Sequence, residues 1–123
     1  MAKRKKITKA QLQSLGSNLE WQLEDQMDSY DSLIRQNGGI SYKVYSSPVR
    51  LVVELYDYDL DEYVKATLKP KADGSLSVAI YDSLNKKLAK RDTWKVLGSN
   101  PALRLWKLFS KADSAFEVWN SYR

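Results

Sequence analysis

Apolar residues recur at helical spacing through the first third of the chain. Leu12, Leu15, Leu19, Leu23, Met27, Tyr30 and Ile34 fall three or four positions apart. This predicts an amphipathic helix over 9–36 with that stripe facing a core. Its start is marked twice. Thr8 with Gln11 forms a capping box, and Ile7 with Leu12 occupies the two positions of a hydrophobic staple. Gly16 interrupts the pattern, and Ser17-x-x-Glu20 offers a second capping box just after it. The segment is therefore either one helix with a weak point or a short helix followed by a longer one. Asn37-Gly38-Gly39 stops it.

The period then changes from helical to alternating. Val49, Leu51, Val53 and Leu55 alternate with Arg50, Val52, Glu54 and Tyr56. Val64, Ala66 and Leu68 alternate with Tyr63, Lys65, Thr67 and Lys69, and Leu76, Val78 and Ile80 with Ser77, Ala79 and Tyr81. These are half-buried strands. Lys71-Ala72-Asp73-Gly74 supplies a glycine-bearing turn between the last two. A shorter strand is expected over Ile40–Tyr45, ending before Pro48. The result reads as an antiparallel meander of four to five strands.

Residues 84–97 admit two readings. Ser83-Leu84-Asn85-Lys86-Lys87 is either a turn leading to a charged edge strand over Leu88–Val96, where charge discourages edge pairing, or part of a short helix. Lys86-Lys87-Leu88-Ala89-Lys90 resembles the Lys-Lys-x-Ala-Lys segment of double-stranded-RNA-binding domains, and the helix–strands–helix order is similar. The match spans these five residues. In that family the segment opens the last helix directly after the third strand. Here a further helix follows, capped by Asn100 with Pro101 at its first position, and the first helix is longer. The chain is not assigned to that family. The final helix carries the apolar stripe Ala102, Leu105, Trp106, Phe109, Ala112, Phe116 and Trp119. Two amphipathic helices packed on one sheet face make a two-layer α+β fold. Residues 1–6 read as a flexible basic tail and 7–123 as one domain.

Composition removes several kinds of chemistry. At 43% hydrophobic the 123 residues suffice for a core. There is no cysteine and no histidine, which excludes disulfides, thiol and histidine catalysis and histidine-ligated metal. Asp57-x-Asp59-x-Asp61 suggests calcium, but Glu62 and Leu68 stand where that loop needs glycine and glutamate. No cofactor, metal or catalytic residue is expected. No apolar stretch is long enough to span a bilayer, and no signal-peptide apolar region follows the basic start. The expectation is a soluble, cytoplasmic protein, or a virion component, that makes no membrane contact.

Charge is the most informative remaining feature. Lys3, Arg4, Lys5, Lys6 and Lys9 match the net +5 of the whole chain, so the remainder sums to zero. That remainder is segregated: 10–62 is acidic at −7 and 63–111 basic at +8. Either the blocks form opposed patches, which suits head-to-tail self-association, or the fold intermixes them. The outward strand face carries Tyr56, Tyr63, Lys65, Thr67, Lys69 and Tyr81. Tyrosines among lysines fit base stacking with phosphate contact, a protein-binding hot spot, or plain strand propensity. Trp21 and Trp94 are candidate exposed anchors, or else cover the core's edges. The leading expectation is a small non-enzymatic accessory protein that binds DNA or RNA electrostatically. Its candidate contacts are Lys3, Arg4, Lys5, Lys6, Lys9, Tyr63, Lys65, Lys69, Lys86, Lys87, Lys90, Arg91 and Trp94. The alternative is a protein-interaction or assembly subunit, such as a virion or mobile-element component or an inhibitor.

Overall fold

The computed structural model describes residues 6–28, 38–57, 61–95, 98, 100–109 and 111. In order these form α1 (Lys9–Asp28), β1 (Gly38–Ser46), β2 (Val49–Asp57), β3 (Glu62–Pro70), β4 (Leu76–Asp82), β5 (Lys87–Trp94) and α2 (Pro101–Phe109). The five strands lie in sequence order in one antiparallel sheet. The expected α+β meander is thus present with five strands. Tyr30, Ile34, Ala112, Phe116 and Trp119 lie outside the described residues, as do residues 1–5 of the tail.

Local signals set both helix starts. Thr8 N–H donates to Gln11 Oε1 at 2.8 Å and Gln11 N–H to Thr8 Oγ1 at 3.2 Å, which closes the capping box. Leu103 N–H donates to Asn100 Oδ1 at 3.0 Å at the head of α2. The β3–β4 turn is fastened by Asp73 Oδ1, which accepts from Ser75 N–H at 2.9 Å and Ser75 Oγ at 2.6 Å. Those bonds hold the Asp73 carboxyl below its ordinary pKa. The β4–β5 turn is organised by buried Asp82, which accepts from Leu84 N–H at 3.0 Å and Asn85 Nδ2 at 2.8 Å.

One sheet face carries the core. Leu51, Val53 and Leu55 of β2, Val64, Ala66 and Leu68 of β3, and Leu76, Val78 and Ile80 of β4 are all buried. α1 covers β1 and β2 on this side with Leu12, Leu15, Leu19 and Leu23, while α2 packs on α1 and β3 with Ala102, Leu105 and Phe109. Residues 87–94 are a strand, so the segment resembling the double-stranded-RNA-binding motif spans a hairpin and an edge strand and opens no helix.

α1 runs unbroken through Gly16. A Cβ at Gly16 would lie 2.4 Å from Tyr42 Cδ2 and 2.8 Å from Leu51 Cδ1. The missing side chain therefore lets the helix descend onto β1 and β2. Gly16→Ala gains about 1 kcal/mol of helix propensity. It also forces the Tyr42 ring and the fully buried Leu51 apart, and such overpacking costs about 1–3 kcal/mol. Net destabilisation is expected in urea unfolding. A rise in stability would mean that Tyr42 swings aside at no cost.

Candidate nucleic-acid interface

The opposite face of the sheet is built by the alternate residues of every strand. Registers Ser41↔Glu54, Lys43↔Val52 and Tyr45↔Arg50 align β1 with β2. Tyr56↔Tyr63, Glu54↔Lys65 and Val52↔Thr67 continue onto β3, then Lys65↔Tyr81 and Lys69↔Ser77 onto β4. Tyr81↔Leu88, Ala79↔Arg91 and Ser77↔Thr93 complete the face on β5. Both described helices pack on the other side, so no described element covers this one. It presents five cations (Lys43, Arg50, Lys65, Lys69 and Arg91) and four tyrosines (Tyr45, Tyr56, Tyr63 and Tyr81) against one described carboxylate, Glu54.

Aromatic rings hold three of these cations. Arg50 lies 4.1 Å and Lys43 5.0 Å from the Tyr45 ring centroid, and Lys65 lies 5.4 Å from that of Tyr81. Arg50 also donates to the Pro48 carbonyl at 3.1 Å. Tyr63 and Tyr81 stack with centroids 5.9 Å apart. A cation over a π face is positioned without being neutralised, so its charge stays available to an anion. Burial, reinforced by Tyr81, Glu54 and Asp61, pushes the Tyr63 phenol above its ordinary 10.0, so it remains a neutral O–H donor. Beside this cluster, Lys71, Ser77, Val78, Ala79, Arg91, Asp92 and Thr93 line a shallow groove of about 360 Å³. It holds two cations and two hydroxyls together with one carboxylate, Asp92.

The structure unites only part of the expected set. Tyr63, Lys65, Lys69 and Arg91 share the open face. Lys43, Tyr45 and Arg50 join them, although they belong to the acidic sequence block. Two cations of the acidic block thus share one surface with four contacts from the basic block. Lys86 and Lys87 sit at the β4–β5 hairpin, at the far end of the sheet from Tyr45, and Lys90 pairs with inward-facing Ile80. Lys6 and Lys9 are exposed, and Lys9 Nζ donates to Ser46 Oγ at 2.6 Å. Lys9 thus meets the sheet at the end bearing Tyr45 and Arg50. Lys3, Arg4 and Lys5 lie outside the described residues.

Trp94 is a correction: it is 1% exposed, packed in the core with the Arg104 guanidinium 4.6 Å from its ring centroid. It is no surface anchor. Trp21 is 68% exposed on α1. Among the described residues, no group of three acidic side chains lies close enough to hold a metal ion, and no helix is long and apolar enough to cross a membrane. No family model, curated protein or solved structure matches the chain.

Proposed function

We propose that this chain is a small, non-enzymatic accessory protein that binds nucleic acid through the open face of its sheet, with the basic tail extending that contact. One observation carries the reading: five cations against a single described carboxylate on a face that no described element covers, three of them seated on tyrosine rings. Such a surface grips phosphates and reads little sequence. The test is fluorescence anisotropy with labelled single- and double-stranded oligonucleotides at two salt concentrations, with and without residues 1–6. Binding should weaken with salt. Removing Lys3, Arg4, Lys5 and Lys6 should lower the slope of log K against log salt by about 0.9 per duplex phosphate lost, or about 0.7 per single-strand phosphate. No binding at low salt would sink the reading.

A second reading, a protein-interaction subunit, has its own support. Trp21 stands exposed one turn beyond Asn18, which helps Ile7, Leu15 and Pro101 line a largely apolar groove of about 450 Å³ between α1 and the start of α2. Exposed tryptophan beside such a groove suits a hot spot. This reading places the partner on the helical side of the molecule, away from the cationic face.

A further inference from the structure

The sheet has two edges, and they are built differently. β5 carries Lys87, Lys90, Arg91 and Asp92 within eight residues, and its register shifts where Tyr81 pairs with Leu88 but Ile80 with Lys90, leaving Ala89 extra. Charge and a bulge are the usual protections of a sheet edge. β1 has neither. Its nine residues, Gly38–Ser46, pair with β2 without a register shift, contain no proline and carry Lys43 as their sole charge. Among the described residues nothing pairs with the outer side of β1. A long, regular, charge-poor edge is a template for another strand.

The β1 sequence also indicates which strand fits. Laid antiparallel to itself about Tyr42, it pairs Ile40 with Val44 of a second copy, Tyr42 with Tyr42 and Gly39 with Tyr45. Ile40 and Val44 both belong to the core side, since their β2 partners are Leu55 and Leu51. On the open face Ser41 meets Lys43, so no like charges stand directly opposed. Pairing β1 with β5 of another copy would instead meet the charged, bulged edge and propagate without closing.

We infer that the chain dimerises through β1, edge to edge and antiparallel about Tyr42, with a second copy of itself. The two sheets become one of ten strands, about 43 Å across at the usual strand spacing. Side chains of paired residues point to the same side, so the two cationic faces are continuous. Their mutual repulsion makes the dimer tighten as salt rises, opposite to the salt dependence of nucleic-acid binding. The inference stands whether or not nucleic acid is the ligand.

Sedimentation equilibrium on the full chain tests it with two substitutions of exposed Ser41. Ser41→Lys places lysine opposite Lys43 at two symmetric positions and should weaken the dimer about 2–30-fold. Within one copy that same lysine faces Glu54, so the fold itself is not weakened. Ser41→Glu should tighten the dimer by a similar factor while facing Glu54 unfavourably at home. Opposite shifts in dimer affinity, set against opposite shifts in monomer stability, are the signature of this register. A wild-type chain that stays monomeric at high concentration would overturn the inference. So would a dimer that the two variants leave unchanged or shift in the same direction.

Discussion

Trp94→Ala is expected to lower the free energy of unfolding by about 3–5 kcal/mol. The side chain is among the largest fully buried ones, and its ring closes the core where the last strand meets α2. Truncation removes its apolar area and leaves a cavity between Leu76, its register partner, and the Arg104 guanidinium. Total stability for a domain of this size is about 5–15 kcal/mol, so the loss is a large share of it. Trp94→Phe should cost less. It keeps a ring under Arg104 and removes an indole N–H that is buried without a hydrogen-bond partner among the described residues. Urea unfolding followed by far-ultraviolet circular dichroism measures both. A change below about 0.5 kcal/mol for the alanine variant is what a surface residue would give, and would place Trp94 outside the core. Any loss of binding on Trp94→Ala would report unfolding, so this residue cannot serve as a test of a docking surface.

Local features were legible in the sequence, and non-local ones were not. The Thr8–Gln11 box, the Asn100 cap and the Lys71–Gly74 turn each depend on residues within a few positions, and each stands where the pattern puts it. The strand alternation likewise assigned Leu51, Val64, Leu76 and their neighbours to the buried side. Trp94 escaped that logic because of the extra residue at Ala89. Simple alternation from Leu88 puts Trp94 on the same face as Leu88, whereas the bulge turns Leu88 outward and Trp94 inward. Gly16 left open one helix with a weak point or two helices, because glycine is a poor helix former. Its role depends on Tyr42, 26 positions away, passing beneath it. The cationic face was hidden for a similar reason. Charge summed along the chain separates Lys43 and Arg50 from Lys65, Lys69 and Arg91, while the strand registers place all five on one side.

That last point sets up the sharpest functional prediction. Replacing Lys43, Arg50, Lys65, Lys69 and Arg91 together by glutamine should abolish measurable nucleic-acid binding at physiological salt. If each cation neutralises one duplex phosphate, the slope of log K against log salt falls by about 4.5. Replacing Lys86, Lys87 and Lys90 removes three cations from the same basic sequence block but from outside that face. This second variant should bind nearly as the wild type does. The pair separates a surface from a mere excess of charge, because a non-specific polycation would lose affinity roughly in proportion to the number of cations removed. Folding is checked independently. Exposed substitutions away from packing usually stay within about 0.5 kcal/mol, and the cation–π contacts of Lys43, Arg50 and Lys65 add about 0.5–1 kcal/mol each. The five-fold variant should therefore remain folded by circular dichroism with a lowered midpoint. Full binding by that folded variant, or loss of binding from the Lys86–Lys87–Lys90 variant instead, would move the interface off the sheet and onto the β4–β5 hairpin.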